Sequence, residues 1–91
     1  WFCIGLSSGD HHAIDTGIND LDGLLSTAAT NNRATFADPR PAFSGHELCD
    51  HAGWLNSIDL TSIDGSYHPT ATGQADGYLP TFSAAATSVG Q

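Results

Sequence analysis

Ile14, Ile18, Leu21, Leu25 and Ala28 recur at spacings of four, three, four and three residues, which lines one face of an α-helix. Asp15, Asn19 and Asp22 fall off that stripe, on the solvent side. Asp10 reads as the N-cap. Asn31-Asn32 reads as the stop, because asparagine tolerates the left-handed conformation that ends helices. Gly17 and Gly23 each weaken the helix by up to about 1 kcal/mol relative to alanine. Packing of the stripe, rather than propensity, must therefore hold it.

The remaining elements are shorter. Trp1 to Leu6 (WFCIGL) is an apolar run of strand length, closed by the turn-like Ser7-Ser8-Gly9. Arg33 to Asp38 (RATFAD) alternates enough to predict a strand centred on Phe36, ended by Pro39-Arg40-Pro41. A helix followed at once by a strand is half of an α/β unit. From Ala42 to Tyr67 the chain predicts loop, far longer than the usual connection, and long ordered loops commonly carry function. A second helix is expected from Thr70, with Ala71, Ala75, Tyr78 or Leu79, and Phe82 on one side and a kink or restart at Pro80.

Composition narrows the function classes. At 91 residues the chain makes one small domain at most. Ten acidic residues face two arginines and no lysine, for a net charge of -8. Nucleic acid and anionic membranes both need a cationic footprint, so both are excluded as partners. No apolar run approaches the roughly 20 residues of a transmembrane segment, and no basic stretch precedes an apolar one as in a leader. Methionine is absent, so the chain reads as a piece of something larger.

His68 carries the chemistry. It precedes a proline, which biases its backbone to an extended conformation, and it closes the long loop just ahead of the second helix. On spacing alone it reads as a partly exposed loop histidine. The block Ser66-Tyr67-His68-Pro69-Thr70-Ala71-Thr72-Gly73-Gln74 points further. It resembles the last block of the SGNH (GDSL-type) ester hydrolases, in which a catalytic histidine is followed by proline, a small polar residue and a helix containing a glycine. Phe43-Ser44-Gly45-His46-Glu47-Leu48-Cys49 and Trp54-Leu55-Asn56 are similar to the segment ahead of that histidine in the secreted bacterial lipase, esterase and phospholipase branch.

The resemblance implies an α/β fold, namely the C-terminal part of a flavodoxin-like three-layer domain in the order helix, strand, long loop, C-terminal helix. Residues 1–91 would form a single partial domain. It implies a secreted serine ester hydrolase acting on a small-molecule or lipid ester without a cofactor, with His68 as the catalytic histidine. The family's Gly-Asp-Ser nucleophile and its oxyanion-hole Gly and Asn have no counterpart here. Ser8-Gly9-Asp10 is read as a turn and cap. Acyl transfer needs nucleophile, base and oxyanion hole together, so the chain alone is expected to be inactive and to need the missing N-terminal part.

The family's acidic partner stands three residues before the histidine, where this chain has Gly65. Something must still accept the Nδ1 proton and fix the tautomer. The main-chain carbonyl of Ser66 (or of Gly65) resembles the dyad variant of the same branch, and Asp64 is the alternative. Cys3 and Cys49 are either two buried thiols or a disulfide; the even count, the acidic extracellular-type chain and the branch's similar bridge favour the disulfide. Trp54 and Tyr67, with Leu55, are candidates for an apolar substrate wall, or else pack on Phe43. Asp10-His11-His12 and His46, Asp50 and His51 do not converge as metal ligands do, so no metal is expected. The competing function class is a small acidic secreted binding or structural module without catalysis.

Overall fold

Ser7 and Asp10 start the first helix. The Ser7 hydroxyl accepts the Asp10 N–H at 3.1 Å, and the Asp10 carboxylate accepts the Ser7 N–H at 2.8 Å. This reciprocal box satisfies two donors that a helix start leaves open. Helix α1 therefore spans Ser8–Asn31, with Ser7 rather than Asp10 as N-cap. Its end falls at Asn31-Asn32 as expected, with Asn32 as C-cap. The Asn32 amide donates to the Ala28 carbonyl at 2.8 Å, and the left-handed residue is Arg33, at φ 56°. The computed structural model describes residues 3–90.

No β-strand forms among the described residues, so the strands expected at WFCIGL and RATFAD are not seen in this chain. Residues 34–39 run without regular structure. A strand needs a neighbour to take its N–H and C=O groups, and none of the described residues pairs with this segment; the Ala34 N–H turns back to the Ala29 carbonyl at 2.9 Å. In the WFCIGL segment, Trp1 and Phe2 lie outside the described residues. Ile4 and Gly5 form a turn, with Gly5 at φ 81° and the Leu6 N–H on the Cys3 carbonyl at 3.2 Å.

Helix α2 is the single turn Arg40–Phe43, and Arg40 ties it to α1. Its guanidinium grips Asp38 through two hydrogen bonds, Nε–Oδ1 at 2.8 Å and Nη2–Oδ2 at 2.9 Å. The same group reaches Asn19 at 2.9 Å and Asp22 at 3.2 Å on α1. The long loop follows as expected, broken by a 3₁₀ turn at Ile63–Gly65 and one antiparallel bridge between Leu55 and Pro69.

The C-terminal helix opens at residues 71–72, widens into a π segment at Gly73–Tyr78 and continues as α3, Leu79–Ser88. The regular α-helix restarts at Leu79, with Pro80 in the first turn of α3, as expected. A proline lacks the N–H for the residue four before it and crowds that carbonyl. The wider π turn, closed by the Leu79 N–H on the Gln74 carbonyl, takes up the mismatch where a regular α-turn would clash.

The core is thin. Cys3 and Phe43 are the buried apolar side chains among the described residues. The Phe43 ring meets Trp54 edge-on at 5.4 Å and Tyr78 at 4.8 Å. Gly73 and Gly77 are buried beneath them, where a Cβ would run into the Trp54 carbonyl and the Phe43 ring. Cys3 is joined to Cys49 by a disulfide across a separation of 46 residues. Closing a loop of that size contributes about 4 kcal/mol by chain entropy. The stripe of α1 stays uncovered: Ile18 is 46% exposed and Leu21 54%. No helix of the described residues is long and apolar enough to cross a membrane.

Candidate active site

His68 sits between two short segments that hold each other edge to edge. The Asn56 N–H donates to the His68 carbonyl at 2.8 Å, and the Tyr67 N–H donates to the Asn56 carbonyl at 2.9 Å. Two residues further out, the Thr70 N–H donates to the Trp54 carbonyl at 2.8 Å. Residues 54–56 thus form a ledge on which 67–70 lie antiparallel. The Asn56 side chain adds a bond from Nδ2 to the Gly65 carbonyl at 3.0 Å.

Ahead of His68 the chain is sharply turned. The 3₁₀ turn ends at Gly65, and Tyr67 takes φ 64°. A bulky residue in the left-handed region is an outlier that its surroundings must enforce; here the bond to Asn56 and the bridge at Pro69 enforce it. Asp59 organises the turn's other side. Its carboxylate accepts from the Thr61 N–H, the Thr61 hydroxyl and the Ser62 N–H, and the Thr61 hydroxyl foremost holds the carboxyl below its ordinary range. The Asp59 N–H in turn donates to the Ser66 hydroxyl at 2.9 Å.

The predicted site residues divide accordingly. His68 is exposed, and among the described residues nothing hydrogen-bonds its ring, neither the Ser66 carbonyl nor Asp64. The Ser66 carbonyl accepts no bond from the described residues, whereas the Gly65 carbonyl already accepts two, from His68 N–H and Asn56 Nδ2. Asp64 is exposed on the 3₁₀ turn. Tyr67 is 46% exposed at the rim. Trp54 is half-buried against Phe43, and its indole face is covered by the His46 ring, with centroids 4.0 Å apart and planes 3° from parallel.

Cys3, Cys49 and His11 bring their ligand atoms within 4.8 Å of one another. The two sulfurs are spent on the disulfide, and a zinc site needs thiolates. Asp10 is committed to the helix cap, and His46 to the Trp54 stack. The role of Asn56 was not visible in sequence, where it enters only as the last residue of Trp54-Leu55-Asn56. Its position two residues after Trp54 was the available signal.

No protein-family model matches the chain. Individual relatives do. It is 45% identical over 84 residues to Lipase 1 of Streptomyces coelicolor and 40% identical over 82 residues to a lipase of Streptomyces rimosus. These matches cover 92% and 90% of this chain but 31% and 30% of the relatives. The solved extracellular lipase of Streptomyces rimosus superposes with a TM-score of 0.85 at 40% identity, and phospholipase A1 from Streptomyces albidoflavus with 0.85 at 38%. Each covers 93% of this chain, which spans 36% of theirs. Over nearly all of its length the chain is therefore similar to these Streptomyces lipases and phospholipase, in keeping with the ester-hydrolase branch that its own motifs resemble, and it spans about a third of their length.

Proposed function

We propose that this chain supplies the histidine of a secreted Ser–His ester hydrolase. His68 takes the proton of a serine hydroxyl, returns it to the leaving alcohol, and then activates water for deacylation. The serine and the oxyanion donors would come from sequence outside these 91 residues, as would the sheet that covers the stripe of α1 in a three-layer α/β domain. Residues 1–91 would then be one part of that domain and inactive by themselves. The substrate would be a carboxylic or lipid ester, with Tyr67, next to His68 in the chain, and Trp54, on its ledge, lining its apolar part. Secretion agrees with the Cys3–Cys49 disulfide.

What carries this reading is the exposed His68 ring on its ledge, which none of the described residues hydrogen-bonds, in a chain 45% and 40% identical to named lipases. The Ser66 carbonyl is our choice of acceptor for Nδ1–H, because none of the described residues donates to it, whereas the Gly65 carbonyl already accepts two bonds. Asp64, which needs the 3₁₀ turn to rearrange, is the second choice.

The test is a chimera in which this chain replaces the matched third of the Streptomyces rimosus lipase. It is expected to hydrolyse a short-chain nitrophenyl ester, with His68→Ala lowering kcat by about 10³-fold or more and Asp64→Asn changing little. Equal turnover with and without His68 removes the assignment. A large loss in Asp64→Asn transfers the acceptor role to that carboxylate.

A further inference from the structure

We propose that His46 is a positioning residue for His68, acting through the indole of Trp54. This rests on the reading of His68 as the catalytic histidine and deepens it. Nothing in the sequence pairs the two histidines, which stand 22 positions apart.

The connection runs through Trp54. Its carbonyl accepts the Thr70 N–H, its own N–H donates to the His46 carbonyl at 2.8 Å, and two residues later Asn56 holds both Tyr67 and His68. Any tilt of Trp54 therefore moves the ledge that fixes the His68 backbone. Three groups restrain the residue: the Phe43 ring at its edge, Gly73 beneath its carbonyl, and the His46 ring flat on its face. The first two belong to the thin core. His46 alone comes from the loop, and it is itself pinned. Its N–H donates to the Phe43 carbonyl at 2.8 Å, and its Nδ1 lies 2.8 Å from the Ala52 carbonyl. A carbonyl only accepts, so Nδ1 carries the proton there, and the ring cannot rotate off the indole without breaking that bond.

A parallel ring pair at this separation adds stabilisation beyond the area it buries. Placed on a residue that bridges the core to the His68 turn, that stabilisation goes into orientation. General-base catalysis is sensitive to orientation, since the imidazole must meet the nucleophile's proton within hydrogen-bond reach.

The test compares three variants by amide exchange in this chain and by kinetics in the lipase chimera. His46→Ala removes ring and donor, His46→Gln keeps a donor without the ring, and His46→Phe keeps the ring without the donor. In His46→Ala and His46→Gln, exchange at Asn56, Tyr67 and Thr70 is expected to rise about three- to tenfold, while Leu21 and Leu24 in α1 stay unchanged. In the chimera kcat falls by about tenfold at near-constant KM. His46→Phe recovers most of both losses. The proposal is overturned if exchange rises equally throughout α1, which marks general destabilisation, or if Gln rescues and Phe does not. Because exchange does not depend on chemistry, an active His68→Ala chimera would end the catalytic reading without touching the exchange result. Unchanged exchange in His46→Gln would end the positioning role and leave the catalytic reading standing.

Discussion

The backbone N–H of Asn56 donates to the carbonyl of His68 at 2.8 Å, while the Asn56 side chain reaches round to the Gly65 carbonyl at 3.0 Å. One residue thus grips the His68 turn at both ends, which keeps Tyr67 in its left-handed conformation between them.

Asn56→Asp should loosen that grip. The substitution replaces the Nδ2 donor with an oxygen facing the Gly65 carbonyl, so the bond is lost and two acceptors are opposed. Loss of one such bond costs about 1 kcal/mol, and repulsion adds to it. Amide exchange at Tyr67 and His68 should accelerate by several-fold or more, with Asn56→Ala giving the smaller effect. If Asn56→Asp leaves these amides unchanged, the side-chain bond has no part in holding the turn.

Gly73 and Gly17 should respond in opposite directions to alanine. At Gly73 a Cβ meets the Trp54 carbonyl, a backbone atom already bonded to Thr70, so Gly73→Ala should destabilise by about 1–3 kcal/mol. At Gly17 a Cβ meets nothing within 4 Å on an exposed helix, and Gly17→Ala should stabilise α1 by about 0.5–1 kcal/mol. The urea midpoint of each variant measures this. A neutral Gly73→Ala would mean that the helix and Trp54 do not approach as closely as described.

Acid should weaken the start of α1 and the Asp59 turn. The carboxyls of Asp10, Asp38 and Asp59 are all held below their ordinary range. The causes are, first, the Ser7 backbone N–H, the Arg40 guanidinium and the Thr61 hydroxyl respectively. A carboxyl depressed in the folded state contributes stability above its unfolded pKa, and that contribution disappears as pH falls through the folded value. Helical circular dichroism should therefore decline below about pH 4, and Asp10→Asn should remove part of the pH dependence. A flat signal down to pH 2 would contradict the capping box as a pH-sensitive support.

Much of this molecule was legible before folding because local rules decide it. The four–three spacing placed α1. The length and punctuation of 42–67 marked the loop, and the residues after His68-Pro69 announced the second helix. The block around His68 pointed to the ester hydrolases through its own residues. The expected strands failed where a partner decides the outcome. RATFAD has an alternating pattern, but alternation becomes a strand only beside another strand, and none of the described residues offers one. At Pro80 the restart of the helix was legible, but the π turn ahead of it, which removes the clash, was not.

The sequence alone determined that a long amphipathic helix precedes a long loop ending in a histidine, since those features follow from spacing and from the backbone limits of Pro and Gly. Only the tertiary structure decided which groups support that histidine. His46, Trp54 and Asn56 lie 22, 14 and 12 residues before it, and hydrogen bonds across such separations leave no periodic trace in a chain. They arise because Phe43, Gly73 and Gly77 pack where only two glycines allow the approach, and that packing sets the Trp54 ledge on which His68 rests.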